Sequence, residues 1–544
     1  MKQGISSISF FLLTLSLWTK AAPVQVIDLR VDLQTKPTGV SSTPRLSWKL
    51  VSDEIGKRQK GYHILAASSL EKLTPETADL WNSETQRGSF KHLIEWKGKE
   101  LKEGQEVHWK VSVLDEGDTT SAWSRPASFT VGGIKTFPKP ARTSTFKSSS
   151  AELNALYHES VAQLEERLAK FSPDGSGSLG TGAELQRAAR AILYHFDALP
   201  HLTHWLHQMD ANMTKDGFFP IHPGSKKIGS VSSEAGITVN HGLWWMGGDH
   251  SLPSKRWTLF EKHMIAREKA DYAFKGTAWG EIEASEGMSA EFIDLCYLGY
   301  TSRLTRELAV PAQQPMNVIR FQDYNGRIRK SFEKQYLGEN GNLKVTSQSA
   351  HLLALRSAVL KKENQAAVIA TLLSSIEKDG LKVGPIGAHF LPSVLSLTQN
   401  QDKAVELLTK LTDEQKKAFI GNGVSGWLIS YLAGIDASLA GFAQTRITPR
   451  IPSGDAIKWV EASYDSVAGK IAVRWEKLAE GALKIDISIP AGSLGRINLP
   501  CLKEQSVTVG EAPLEKALGL AQTSRSDSII SLIGHSGTYS FLIK

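Results

Sequence analysis

The amino-acid sequence predicts a multidomain protein in which a large all-α domain lies between two β-sandwiches. Near both ends of the chain apolar residues alternate with polar ones, as in strands, whereas in the middle they recur every three or four residues, as in helices. The length of 544 residues exceeds the roughly 100–200 residues of one domain. A hydrophobic share of 41% and a charged share of 22% are typical of a globular protein and argue against a disordered chain.

The first β-sandwich is predicted over residues 24–132, where short alternating runs are separated by turn residues. We expect Trp48, Trp109 and Trp123 to face inward, because large aromatic side chains anchor the core between two packed sheets. Glycine and proline residues then indicate a linker over residues 133–147.

The predicted helical domain covers residues 148–443, and no convincing strand interrupts it. Paired helices can close into a toroid or stack into an open solenoid, and a solenoid would show a repeating sequence period. No fixed period is visible, which favours the toroid. Alternating runs return over residues 444–544, where we predict the second β-sandwich.

The first 22 residues are typical of a secretory signal, because an apolar run from Ile8 to Trp18 follows a lysine and precedes two alanines. We therefore predict a signal peptide over residues 1–22 and an exported protein, periplasmic or extracellular. No later apolar run reaches the roughly 20 residues of a membrane-spanning helix, so no span is expected in the mature protein.

The net charge of +7 comes from lysines and arginines scattered along the whole chain. A nucleic-acid-binding arm would need a dense basic block, so no nucleic-acid partner is expected. The charge is compatible with a mild attraction to acidic polysaccharide. The 14 tryptophans add a hint of carbohydrate, since flat indole faces stack on sugar rings, although most tryptophans in proteins belong to the core.

Short motifs near both ends of the chain resemble the bacterial α-L-rhamnosidases of glycoside hydrolase family 78. The N-terminal motifs are Pro-Arg-Leu-Ser-Trp at residues 44–48 and Ser-Ala-Trp-Ser at residues 121–124. The C-terminal motifs are Ile-Thr-Pro at residues 447–449 and Val-Arg-Trp at residues 473–475. The resemblance implies an (α/α)₆ toroid of the six-hairpin glycosidase type, flanked by a fibronectin-like N-terminal sandwich and a C-terminal β-sandwich. It also implies a saccharide substrate and neither a cofactor nor a metal.

The same resemblance implies that Asp174 and Glu184 are pocket carboxylates, although the motifs that carry the family's general acid and general base are missing here. An inverting glycosidase needs one protonated and one ionised carboxyl about 6.5–9.5 Å apart. Both residues also have a structural interpretation. Asp174 lies in a Pro-Asp-Gly turn, and Glu184 follows Thr181 at the spacing of a capping box, which favours the ionised carboxylate.

A second acidic stretch supplies Glu281 and Glu283 beside Trp279, loosely similar to a Gly-Asp-Trp segment of the family. The two glutamates are candidate catalysts by a rearranged route, and Trp279 is a candidate sugar contact. A solvated charged loop explains the same pattern equally well.

Aromatic residues of the middle domain are candidates for binding sugar: His241, Trp244, Trp245 and Trp427. Packing in the core explains adjacent tryptophans just as well. Three histidines at spacing of three residues, His201, His204 and His207, lack the Glu or Cys that would complete a familiar zinc pattern, so no metal is predicted.

Two functions follow from the sequence. In the first, the protein is an exo-acting glycoside hydrolase that removes terminal α-L-rhamnose, or a related sugar, from a plant or algal polysaccharide or glycoside. In the second, it is a degenerate relative that binds saccharide without hydrolysis. The resemblance of fold leaves both open.

Overall fold

The computed structural model describes residues 24–35, 37, 39–133, 137, 139–171, 179–270 and 285–544. Strands at both ends of this chain enclose a helical middle. The predicted fold class is therefore confirmed. The predicted signal peptide lies outside the described residues.

The N-terminal domain is a sandwich of two antiparallel sheets. Its strands are β1 (Gln25–Val31), β2 (Arg45–Val51), β3 (Gln59–Ala67), β4 (Trp81–Asn82), β5 (Gln86–Arg87), β6 (Ile94–Glu95), β7 (Glu106–Asp115) and β8 (Ala127–Thr130). One sheet has the order β1-β2-β6, and the other has the order β4-β3-β7-β8 with β5 also paired to β3. Trp48 and Trp109 are buried in the core that the sheets share, as predicted.

Trp123 departs from the prediction, because it is only partly buried and packs outside that core. It lies against Leu65 and Leu73, and its ring meets His63 edge-on at 5.0 Å between centroids. Successive side chains of a strand point to opposite faces. Strand β3 therefore buries Ile64 in the main core and Leu65 against Trp123, and a motif alone does not tell which face a tryptophan covers.

Thirteen helices are seen in the described part of the middle domain. In chain order they are α1 (Ala151–Ala169), α2 (Gly182–His195), α3 (Leu199–Ala211), α4 (Ala235–Gly247), α5 (Ser251–Ala270), α6 (Ala290–Ala309), α7 (Pro315–Tyr336), α8 (Gln348–Arg356), α9 (Lys362–Asp379), α10 (Pro385–Leu397), α11 (Gln401–Thr409), α12 (Asp413–Ile420) and α13 (Val424–Trp427). A π-helical turn over Leu428–Leu432 extends α13.

Six of these helices form a closed inner ring. Helix α2 contacts α4, then α4 contacts α6, α6 contacts α8, α8 contacts α10, α10 contacts α13, and α13 returns to α2. The other helices alternate with them along the chain and form the outer layer. The middle domain is thus the predicted toroid.

Two local features fix the start of the inner helix α2. The Thr181 hydroxyl caps the helix by accepting from the Glu184 backbone N–H. At Gly182, an added Cβ would lie 1.9 Å from the Ser232 carbonyl oxygen, so only glycine fits against the segment that leads into α4.

The C-terminal domain is a larger β-sandwich. Its strands are β9 (Ser144–Ser148), β10 (Ile435–Leu439), β11 (Gln444–Ile447), β12 (Trp459–Ser466), β13 (Gly469–Lys477), β14 (Leu483–Ile489), β15 (Leu494–Pro500), β16 (Val507–Val509), β17 (Ala512–Pro513), β18 (Leu520–Arg525), β19 (Ile529–Gly534) and β20 (Gly537–Ile543). The sheet orders are β17-β16-β20-β14-β13-β12-β9 and β10-β11-β15-β19-β18.

Two of these strands come from segments for which the sequence suggested another role. Strand β9 lies in the segment predicted as a linker, and it pairs antiparallel with β12. Strand β10 lies inside the segment predicted to be helical. The C-terminal sandwich therefore takes in chain from both sides of the barrel.

Ion pairs connect the N-terminal sandwich to the rest of the molecule. Arg30 binds Asp197 at the end of α2, and Arg45 binds Asp249 after α4, both at 2.8 Å. Lys49 reaches Asp465 of β12 at 2.9 Å. None of the helices in the described residues combines the length and the hydropathy that a membrane span requires.

Candidate functional site

A cavity of 420 Å³ lies on the axis of the barrel. Residues from all six inner helices line it, and Asp436 of β10 and Arg446 of β11 complete its wall. A site that every inner helix helps to build depends on closure of the whole ring. It is concave and of a size typical of small-ligand sites, about 300–1,000 Å³.

Aromatic rings form part of this wall. His241 and Trp245 lie nearly parallel, with interplanar angle 10° and centroids 6.3 Å apart. Trp427 also lines the cavity, and its indole N–H donates to Ser396 Oγ at 2.9 Å. Flat faces and a nearby imidazole suit the mixed apolar and polar surface of a sugar.

One carboxylate of the cavity, Asp436, is held by two arginines. Arg190 donates to its Oδ1 at 2.5 Å, Arg446 pairs with its Oδ2, and the Tyr194 hydroxyl donates to Oδ1 at 3.1 Å. Burial alone would raise the pKa of Asp436, but the two guanidinium groups outweigh it and lower that pKa. Asp436 is therefore ionised at neutral pH.

The second carboxylate, Glu307, is held in a similar way. Arg303 donates to its Oε1 at 2.7 Å, and His241 Nε2 binds its Oε2 at 2.9 Å. Burial opposes these contacts, yet they lower the pKa of Glu307 to about 2. Burial also lowers the pKa of His241, so at neutral pH this imidazole is the neutral donor to an ionised Glu307.

A third group in the cavity contains positive charge without a carboxylate. Arg187 donates through Nε to Asn422 Oδ1 at 2.6 Å, and His389 Nδ1 donates to the Asn422 carbonyl oxygen at 3.0 Å. Arg356, the last residue of α8, also lines the cavity. Burial, together with the charges of Arg187 and Arg356, lowers the pKa of His389 to about 4, so His389 is uncharged at neutral pH.

Three family models match the chain in succession. The model of the Rha78A-like N-terminal immunoglobulin domain matches residues 26–135. The model of the bacterial alpha-L-rhamnosidase 6 hairpin glycosidase domain matches residues 141–425, more than half of the chain. The chain belongs to the bacterial α-L-rhamnosidase family. The C-terminal domain model of bacterial alpha-L-rhamnosidases agrees with this over residues 434–512.

Individual curated proteins that are similar to this chain are also α-L-rhamnosidases. An α-L-rhamnosidase of Streptomyces avermitilis is 25% identical over 376 residues, which cover 60% of this chain and 35% of that protein. The chain spans 11%, 35% and 43% of the lengths of three curated relatives, all α-L-rhamnosidases.

Two solved structures show the same fold. The α-L-rhamnosidase of Dictyoglumus thermophilum aligns with TM-score 0.84 and 13% identity, over 96% of this chain and 100% of the other. The S. avermitilis α-L-rhamnosidase complexed with L-rhamnose aligns with TM-score 0.83 and 12% identity, over the same shares of the two chains. At such identities the likeness establishes the fold alone.

Within this barrel, Glu184 lies apart from the axial cavity. It lines a separate surface recess of 230 Å³, together with Arg167 and Lys170 of α1. Its carboxylate accepts from the Thr181 backbone N–H at 2.8 Å, and the full capping box is present. The capping box that the sequence predicted at Thr181 and Glu184 is therefore confirmed.

Some of the aromatic residues proposed as sugar contacts line the axial cavity and one does not. His241, Trp245 and Trp427 line the axial cavity, whereas Trp244 does not. Trp244 is 9% exposed and directs its indole N–H toward His250 Nδ1 at 3.4 Å. Asp174, Trp279, Glu281 and Glu283 lie outside the described residues.

Glu286, from the same acidic stretch, has a structural role. Its carboxylate accepts from the backbone N–H groups of Gly384, Ile386 and Gly387 at 2.8–3.0 Å, and from Ser349 Oγ at 2.5 Å. These N–H groups belong to the first turn of α10, which lacks a partner for them inside the helix. Glu286 thus anchors its segment to an inner helix.

The three histidines of α3 lie away from the cavity. The rings of His201 and His204 pack against Phe137, at 4.9 Å and 5.2 Å between centroids. Burial lowers the pKa of His207. Their contacts are those of a packed outer helix.

The sequence did not indicate the titratable residues of the cavity other than His241: Arg187, Arg190, Arg303, Glu307, Arg356, His389, Asp436 and Arg446. The only available signal was the placement of Arg187 and Arg190 one turn and nearly two turns after Glu184 on the same helix. No spacing indicated that residues from other helices and from β10 and β11 meet them.

Proposed function

We propose that the protein is an exo-acting glycoside hydrolase that removes terminal α-L-rhamnose, or a related sugar, from oligosaccharides, polysaccharides or glycosides of plants or algae. The observation that supports this proposal best is the axial cavity of a rhamnosidase-family barrel, because a pocket at the centre of a ring accepts a chain end more readily than the middle of a chain. The relative in complex with L-rhamnose supports the choice of sugar.

The described cavity carboxylates do not provide the general acid. Glu307 and Asp436 are both ionised at neutral pH, whereas a general acid must carry a proton at the working pH. Under the proposal, catalysis falls to Asp174, Glu281 and Glu283, with Trp279 as a sugar contact. Their segments, 172–178 and 271–284, precede the inner helices α2 and α6 in the chain.

The test is release of reducing sugar from a panel of α-L-rhamnosides. The rate should follow a bell-shaped pH profile, since one carboxyl must be protonated while another is ionised. Glu281→Gln or Glu283→Gln should remove most of the rate and leave the melting temperature unchanged. Glu414→Gln, an 84% exposed surface position, is the matched control and should retain the wild-type rate.

A second function is favoured by one observation: every carboxylate at the described cavity is already neutralised by arginine. The protein would then bind saccharide without cleaving it. In that case L-rhamnose or a rhamnoside quenches tryptophan fluorescence, through Trp245 and Trp427, while no reducing sugar is released at any pH.

We further propose that the protein is exported, with residues 1–22 removed. Cell fractionation followed by N-terminal sequencing of the mature protein tests this. A protein that retains Met1 and stays in the cytoplasm would contradict it.

A further inference from the structure

Two of the five arginines that line the axial cavity lack a carboxylate partner. Arg190 and Arg446 share Asp436, and Arg303 binds Glu307. With the described residues, Arg187 forms no ion pair; it donates to Asn422 and interacts with the buried Tyr297 hydroxyl, both of them uncharged partners. Arg356 forms neither a hydrogen bond nor an ion pair with the described residues and lines the same cavity.

The side chains around these two arginines do not supply the missing negative charge. Arg187 and His389 both bind Asn422, and Arg356 lines the same cavity as these two residues. His389 is neutral and Asn422 is uncharged, so the local net charge remains positive.

Physical chemistry makes such an arrangement costly unless something binds there. Both guanidinium groups are only partly exposed, and two like charges in a confined space repel each other. The end of α8 offsets part of this cost for Arg356, since cations are favoured at a helix C-terminus, but it does nothing for Arg187 near the start of α2. A guanidinium fork is well suited to two oxygens of one anion.

We propose that Arg187 and Arg356 bind the anionic oxygen group of an acidic sugar, a carboxylate or a sulfate half ester, inside the axial cavity. The inference deepens the proposed function and rests on it, because it names the class of saccharide that this site takes. The sugar ring itself would contact Trp245 and Trp427 on the same wall.

Equilibrium binding of three matched sugars to the full chain tests the proposal: D-galacturonate, D-galactose 6-sulfate and uncharged D-galactose. Isothermal titration calorimetry should give at least one anionic sugar a Kd about tenfold lower than that of D-galactose, and the preference should weaken at high salt. The anionic sugar that binds more tightly identifies the group.

Arg356→Gln should abolish most of this preference. Arg327→Gln is the matched control, because it removes the same charge from the outer helix α7, where the side chain is 55% exposed; it should bind as the wild type does. Arg356→Lys keeps the positive charge and should retain the preference for the anionic sugar over D-galactose. This variant tests the role of the charge even if Arg356→Gln does not fold.

Equal binding of all three sugars by the wild type, or binding by folded Arg356→Gln that equals the wild type, would overturn the inference. Binding is measured without turnover, so the two ideas fail separately. Cleavage of rhamnosides without anion preference refutes only the anion site, and anion preference without cleavage refutes only the hydrolase.

Discussion

At the scale of single residues, Asp436 connects three elements: Arg190 on α2, its own strand β10, and Arg446 on β11. Asp436→Asn should destabilise the protein by about 1–3 kcal/mol, because it leaves charged donors without their acceptor at a buried position. The cost should fall short of that for a fully buried pair, since Arg190 and Arg446 are 41% and 45% exposed. Denaturant unfolding measures it.

The matched control for that substitution is Asp413→Asn, at a side chain that is 98% exposed. It should change the free energy of unfolding by less than about 0.5 kcal/mol. Equal effects of the two substitutions would show that the Asp436 contacts contribute nothing.

Glu184 offers a second test at this scale, because glutamine also completes a capping box. Glu184→Gln should leave the free energy of unfolding within about 0.5 kcal/mol of wild type, whereas Thr181→Ala should lower it by about 1 kcal/mol. Rhamnoside hydrolysis by Glu184→Gln should match the wild-type rate, since the carboxylate lies in a recess apart from the axial cavity. Loss of hydrolysis in a stable Glu184→Gln protein would instead make Glu184 a catalyst.

The capping box was predictable from sequence because both partners lie within three residues of each other. The charged cavity was not, because Arg190 and Asp436 are distant in the chain and nothing local specifies that they meet. The same limit explains Trp244 and Trp245. Both faces of an inner helix are buried, so hydrophobicity does not reveal which of two neighbouring tryptophans faces the barrel axis.

At the scale of secondary-structure elements, helix propensity and packing act in opposite directions at Gly182. Glycine to alanine usually stabilises a helix by up to about 1 kcal/mol. Gly182→Ala should nevertheless destabilise by about 1–3 kcal/mol or more, because its Cβ would overlap the Ser232 carbonyl oxygen and the ring would have to open there.

Gly326→Ala on the outer helix α7 provides the comparison. Its Cβ would meet nothing within 4 Å, so this variant should be as stable as wild type or more stable. Thermal unfolding of the two variants side by side checks the prediction. A stabilised Gly182→Ala protein would mean that α2 and the segment before α4 are less closely packed than described.

At the scale of the whole molecule, the order of the three domains was predictable because strand and helix periods are local properties of the sequence. How the domains attach was not. Asp197 and Asp249 follow inner helices of the barrel, yet both bind arginines of the N-terminal sandwich. Contacts between domains leave no periodic signal.

The domain interface should therefore weaken in acid. Burial alone would raise the pKa of Asp249, but the contact with Arg45 lowers that pKa below its ordinary value of about 4. Such a group stabilises the fold fully above about pH 4, and its contribution is lost as the pH falls through the folded-state pKa. The melting temperature should thus decline as the pH falls below about 4, and hydrogen exchange should increase in the N-terminal sandwich.

Asp249→Asn isolates this effect. Over the same pH interval, the melting temperature of the variant should fall by fewer degrees than that of the wild type. Asp32 acts in the opposite sense, since burial raises its pKa, but it is present in both proteins and cancels in the comparison. Identical acid profiles would show that the Arg45 contact does not contribute to acid stability.

Strand β9 has a consequence for biosynthesis. Its register partners, such as Ala462 opposite Phe146, are synthesised only after the entire barrel. A ribosome therefore extends the chain by several hundred residues while the edge of β9 has no pairing partner, which exposes the nascent protein to aggregation and to chaperone capture. Arrested chains that end before residue 459 should remain protease-sensitive around Ser144–Ser148, and chains that end after residue 466 should become resistant there.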